Sequence, residues 1–98
     1  MEMHGNTIHF KSKSVFYAKE RAGKKPNTVR LLSGAQAHDL EVWRVEQRVM
    51  KIAIHCKEYP WEYFERRLID ITRLGEILGY HLYVFSWEHE EEQKGGEA

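Results

Sequence analysis

The stretch Gly23-Lys24-Lys25-Pro26-Asn27-Thr28-Val29-Arg30 joins the end of a predicted helix to the start of a predicted strand, and that junction decides what kind of fold the chain adopts. Gly23 is the residue type that closes helices, because without a Cβ it enters the left-handed region at little steric cost. Pro26 and Asn27 supply a turn, and Thr28 to Leu32 is rich in residues suited to a pleated strand. Strand alternation then sends Thr28 and Arg30 to one face and leaves Val29 for the core.

Upstream, Thr7-Ile8-His9-Phe10 alternates as a strand, and Ser12 or Ser14 is placed to cap a helix over Val15 to Ala22. Downstream, Ser33-Gly34 breaks the chain before a helix over Gln36 to Gln47, with Leu40, Trp43 and Gln47 on one face. The clearest strand follows: Met50, Ile52, Ile54 and Cys56 alternate with Lys51, Ala53, His55 and Lys57. Pro60 turns the chain, and Tyr63 to Ile71 returns as an antiparallel strand. Leu74, Ile77 and Leu78 have helical spacing, so Thr72 to Leu78 reads as two helical turns stopped by Gly79. His81 to Trp87 is a last strand.

This order lacks the regular βαβ alternation of a doubly wound parallel sheet. It predicts an α+β domain over residues 1–87: a curved, mostly antiparallel sheet or partly open barrel with two or three short helices. Residues 88–98 form an acidic tail with nothing to bury, expected to be disordered.

The 98 residues and 42% apolar content suit one core. So small a domain buries only about two thirds of its unfolded surface, so homodimerisation is one way to add stability. Cys56 has no second cysteine to pair with, which excludes a disulfide and a cysteine-based zinc site and fits a reducing cytoplasm. No apolar run approaches the roughly 20 residues that span a bilayer. The start of the chain is not a signal peptide.

The zero net charge hides an asymmetry. Residues 1–57 carry eleven Lys and Arg against five acids, and residues 58–98 carry four against ten. Between Lys11 and Arg30 seven basic residues face only Glu20. Such a concentration attracts polyanions, although it also describes a solvated surface. Within it, Arg30 offers a planar fork to phosphate, Lys25 a flexible charge, Thr28 a neutral hydrogen bond, and Lys24 adds to the positive field.

Gly23, Lys25, Thr28 and Arg30, at a helix-to-strand junction, resemble the G-x-K-x-x-T-x-R motif of ASCH domains in the PUA-like superfamily. The resemblance covers residues 7 to 32, with Phe10, Val15 and Phe16 as apolar anchors. The chain departs from the family after the motif, where Leu31-Leu32-Ser33-Gly34 leads into a helix instead of the usual Gly-Asp turn. What the resemblance implies is a small PUA-like barrel with a cleft that binds RNA, a nucleotide or a modified nucleoside, contacted by Lys24, Lys25, Thr28 and Arg30.

One branch of the family deacetylates N4-acetylcytidine. Carried over, that activity makes Lys25 the base and Thr28 the nucleophile, and needs a later glutamate. Glu58, Glu62, Glu65 and Glu76 are all available, and no pattern selects one. A reading of a different class is a phage or mobile-element accessory protein that binds another protein through its acidic tail and aromatic turn.

Six histidines, His4, His9, His38, His55, His81 and His89, show no i, i+4 pair and no cysteine partner, so neither a metal nor a cofactor is expected. Tyr59, Trp61, Tyr63 and Phe64 cluster at the turn, either to stack on bases or to plug the sheet. Arg66 and Arg67 point to opposite faces, so only one of them joins any binding surface.

Overall fold

A computed structural model describes residues 1–89. The elements run β1 (Glu2–His4), β2 (Thr7–Ser12), α1 (Ser14–Arg21), β3 (Asn27–Leu32), α2 (Gly34–Val45), β4 (Lys51–Cys56), β5 (Tyr63–Ile77) and β6 (Tyr80–Trp87). The six strands form one sheet in the order β1-β2-β4-β5-β6-β3. Every neighbouring pair is antiparallel except β2 and β4, which are parallel and joined by the long excursion through α1, β3 and α2. The architecture is α+β with two helices and an open sheet. No helix among the described residues is long and apolar enough to cross a membrane.

The core lies on one face of the curved sheet. Ile8, Phe10, Ile52, Ile54 and Phe64 come from one half, Leu32, Tyr83, Phe85 and Trp87 from the other, and Tyr17 and Leu40 from the helices that cover them. Tyr83 donates to Glu41 Oε2 at 2.6 Å and so ties α2 to β6.

β5 is where expectation and structure differ most. Thr72 to Leu78 is not a helix: β5 continues to Ile77, and Ile77 pairs with Tyr80 of β6. Leu78 and Gly79 both have positive φ, 51° and 84°, which is the requirement of a two-residue hairpin of the kind that matches strand twist. Gly79 therefore supplies a left-handed residue, as a helix stop would, but to a turn. Register shifts between Leu68 and Asp70 and between Arg73 and Gly75 let one long strand bend from β4 to β6. The second shift breaks the period of two and leaves Leu74, Ile77 and Leu78 in helical spacing.

Two smaller expectations are corrected. α1 is not capped by Ser12 or Ser14; its N-cap is Lys13, and the Ser14 N–H donates to Glu58 Oε1 at 2.8 Å, so a carboxylate from the β4–β5 loop meets the positive end of the helix. α2 begins at Gly34, where Ser33 and Gln36 form a reciprocal capping box, and ends before Gln47, whose φ of 57° takes it out of the helix. Beyond β6, the Glu88 N–H donates to the Arg67 carbonyl at 2.9 Å, and His89 packs over Gly23 so closely that any Cβ there would meet its ring. The rest of the tail, residues 90–98, lies outside the described residues.

Candidate functional site

β3 and β6 pair so that Thr28 lies opposite Phe85 and Arg30 opposite Tyr83. Both partners belong to the core, so Thr28, Arg30 and Leu32 turn inward. Thr28 and Arg30 do share a face, as expected. Val29 does not go to the core: it is 50% exposed, whereas Thr28 is 3% exposed. Val29 and Leu31 are as apolar as their inward neighbours, so alternation alone could not choose the buried face, and the ladder to β6 chooses it.

Arg30 is the most connected side chain of the motif. Its Nε donates to Thr28 Oγ1 at 2.9 Å, one terminal nitrogen to the Lys11 carbonyl at 2.7 Å, and the other to Ser12 Oγ at 2.7 Å. The guanidinium carbon sits 4.8 Å from the centroid of the Phe10 ring. β1 pairs only with Thr7 to His9 on its side of β2, so the Lys11 carbonyl lies beyond its reach. A side chain from β3 thus bridges to β2 where a ladder would have closed a barrel. Burial lowers the Arg30 pKa, and the nearby Glu20 carboxylate acts in the opposite direction. Each terminal nitrogen carries a second N–H that the fold leaves open among the described residues.

Lys25 is held differently. Its ammonium lies 3.4 Å from Glu20 Oε2 and donates to the Asn27 carbonyl at 2.9 Å. Glu20 is 1% exposed, and its other oxygen has no hydrogen-bond partner among the described residues. The carboxylate beside the motif is therefore Glu20, upstream on α1. Of the downstream acids, Glu58 accepts from the start of α1, Glu65 sits on the outer face opposite Ala53, and Glu76 lies 3.9 Å from Arg73 near the hairpin tip. Lys24 is exposed.

On the far side of Arg30 lies a groove of about 700 Å³ whose lining includes Arg30, Lys11, Glu2, His4, His9 and His55. Its floor is the outer face of β2 and β4. His9 Nδ1 and His55 Nε2 are 2.9 Å apart with the ring planes 27° from parallel, His4 meets His9 edge-on, and Tyr63 stacks on His55. The His9 pKa is lowered, first by burial and then by the neighbouring His55 and His4, with Glu65 and Glu2 opposing. Sequence separation hid this cluster: parallel pairing of β2 with β4 sets Lys11 opposite His55 and His9 opposite Ala53, so His9 and His55 become diagonal neighbours. Among the described residues no group of three or more ligating side chains is arranged to hold a metal ion.

The aromatic turn divides. Phe64 is core and carries Arg66 over its ring, whereas Tyr59, Trp61 and Tyr63 are exposed. Arg66 is buried and Arg67 exposed, on opposite faces as expected. A second cleft, among Lys51, Glu65, Arg66, Arg67 and Glu88, mixes three cationic side chains with two carboxylates.

No protein-family model, curated protein or solved structure matches the chain.

Proposed function

We propose that the protein binds the phosphate of a nucleotide or of RNA in the groove beside Arg30. One observation carries the reading: Arg30 is fixed by Thr28, Ser12 and the Lys11 carbonyl yet opens onto a groove whose lining also includes Lys11 and three histidines, with a single carboxylate, Glu2, which His4 engages at 3.0 Å. A guanidinium already oriented by the fold loses little rotamer freedom when it takes a phosphate, and its planar fork suits paired oxygens. The half-exposed Tyr63, stacked on His55 of the groove lining, offers an aromatic face on which a base can stack. The resemblance to ASCH domains points to the same ligand class.

In this reading Thr28 orients Arg30, and Lys25 stabilises the helix-to-strand corner through Glu20. A deacetylase with Lys25 as base and Thr28 as nucleophile asks more of the site. Lys25 donates to a carboxylate and a carbonyl, no hydrogen bond joins it to Thr28 among the described residues, and the Thr28 hydroxyl accepts from Arg30 instead. Binding is therefore the stronger reading. Incubation with N4-acetylcytidine tests the alternative: release of cytidine, lost in Lys25→Ala, would reinstate it.

The binding reading is tested by titrating uridine 5′-monophosphate and oligouridine into the protein and into Arg30→Gln. Affinity should fall with added salt, because bound phosphates release counterions, and should fall at least about tenfold in the variant. Equal affinities, or none in either protein, would reject it.

A further inference from the structure

The His9–His55 pair adds a second recognition element to the groove, provided that the groove binds phosphate as proposed. With 2.9 Å between His9 Nδ1 and His55 Nε2, one ring donates its N–H and the other accepts. When both rings are neutral, the donor ring is left with a bare lone pair on its other nitrogen, while the acceptor ring keeps an N–H on its own. One outward donor and one outward lone pair then remain. A phosphate oxygen is attracted by the first and repelled by the second.

Uptake of one proton changes this. The lone pair becomes an N–H, the shared hydrogen bond survives, and the pair presents two donors and one positive charge. A second proton has no place, because both inner nitrogens would then carry hydrogen at a separation of 2.9 Å. The pair is therefore built to accept one proton, and both rings line the groove that Arg30 enters.

We infer that the groove takes a terminal phosphate monoester, as a nucleotide or the phosphorylated end of an RNA provides, and that the His9–His55 pair captures one proton as this dianion binds. A monoester carries about two negative charges near neutral pH, a phosphodiester only one. Arg30 matches the first charge, and the protonated pair, with Lys11 nearby, matches the second. The groups facing the pair are His4 and Glu2 from β1, Lys11 on β2, Tyr63 and Glu65 on β5, and Arg30 from β3. The carboxylates Glu2 and Glu65 favour an added proton on His9, while its histidine neighbours oppose it until the ligand arrives. Burial lowers the His9 pKa in the empty groove, which leaves room for binding to raise it.

The test uses uridine 5′-monophosphate, its phosphate methyl ester and a 5′-phosphorylated oligouridine, titrated calorimetrically in two buffers of different ionisation enthalpy. The monoester should bind at least tenfold more tightly than its methyl ester at about pH 7, with uptake of close to one proton. Its affinity should rise by up to about tenfold per unit as the pH falls from about 8 toward 6.5. His9→Gln, with its fold checked by circular dichroism, should bind both ligands alike and take up no proton. Equal binding of monoester and methyl ester by the unaltered protein, or no proton uptake, would overturn this inference even if Arg30→Gln still abolished binding. Loss of Arg30 dependence would instead overturn the phosphate reading itself. A phosphorylated oligouridine that binds far more tightly than the mononucleotide identifies RNA ends as the source of the monoester.

Discussion

The Arg30 guanidinium donates to Ser12 Oγ at 2.7 Å across the gap between β3 and β2, so one side chain both bridges the open sheet and forms a wall of the groove. Removing it should affect two properties. Arg30→Met should lower unfolding stability by about 2 kcal/mol, from the loss of charge-assisted hydrogen bonds to groups that remain partly buried. Urea unfolding with an unchanged m-value would measure it, and a loss below about 0.5 kcal/mol would show that the bridge is not structural.

Glu20→Gln tests the corner that holds Lys25. The substitution keeps the volume but removes the charge opposite an ammonium that is one third exposed. Full loss of a buried pair costs more, and solvent at Lys25 screens part of it, so a destabilisation of about 2 kcal/mol is expected. An unchanged or raised midpoint would mean that the buried carboxylate is a liability for the fold.

Val29 and Leu32 should respond differently if β3 turns its Thr28, Arg30 and Leu32 face inward. Val29→Thr, at a half-exposed site, should stay within about 0.5 kcal/mol of the parent. Leu32→Ala, at a site 2% exposed, should cost about 3 kcal/mol. A large loss for Val29→Thr would return that residue to the core.

The β5–β6 turn makes a stabilising prediction. Leu78 is 94% exposed at a φ of 51°, where asparagine is favoured and a leucine is strained. Leu78→Asn should therefore raise stability by roughly 0.5–1 kcal/mol. Were Thr72 to Leu78 helical, the same change would lower it.

These residues also mark what the sequence could convey. The strand expected from Met50 and observed over Lys51–Cys56, the helix stop at Gly23, the shared face of Thr28 and Arg30 and the opposed faces of Arg66 and Arg67 all follow from periodicity and residue type, which local sequence carries. The bend of β5 does not, because a bulge at Gly75 and a left-handed pair at Leu78-Gly79 leave the same residue spacing as a short helix. The buried face of β3 is set by pairing with β6, which lies far along the chain. The family pattern points downstream for the acid beside Lys25, although Glu20 is the one acid among the basic residues from Lys11 to Arg30. Nothing local could join His9 to His55, since only the parallel β2–β4 pairing does so.

The lowered His9 pKa implies an acid-sensitive contribution to the fold. His9 has a lowered pKa in the folded protein, so below about 6.5 the unfolded chain binds more protons than the folded one. Its contribution to stability is thus complete above about pH 6.5 and declines as the pH falls toward the folded value. His9→Gln should flatten that decline in thermal unfolding followed between about pH 7.5 and 5. An unchanged slope would place the acid sensitivity elsewhere.

The measurement closest to the central claim is the affinity for uridine 5′-monophosphate at low and high salt, compared between the parent protein, Arg30→Gln and Lys11→Gln. Lys11 is exposed, so its replacement removes groove charge with little risk to the fold. Binding that weakens with salt, falls at least about tenfold in Arg30→Gln and falls severalfold in the folded Lys11→Gln is the predicted result. Affinity that ignores salt and both substitutions would contradict a phosphate site in this groove.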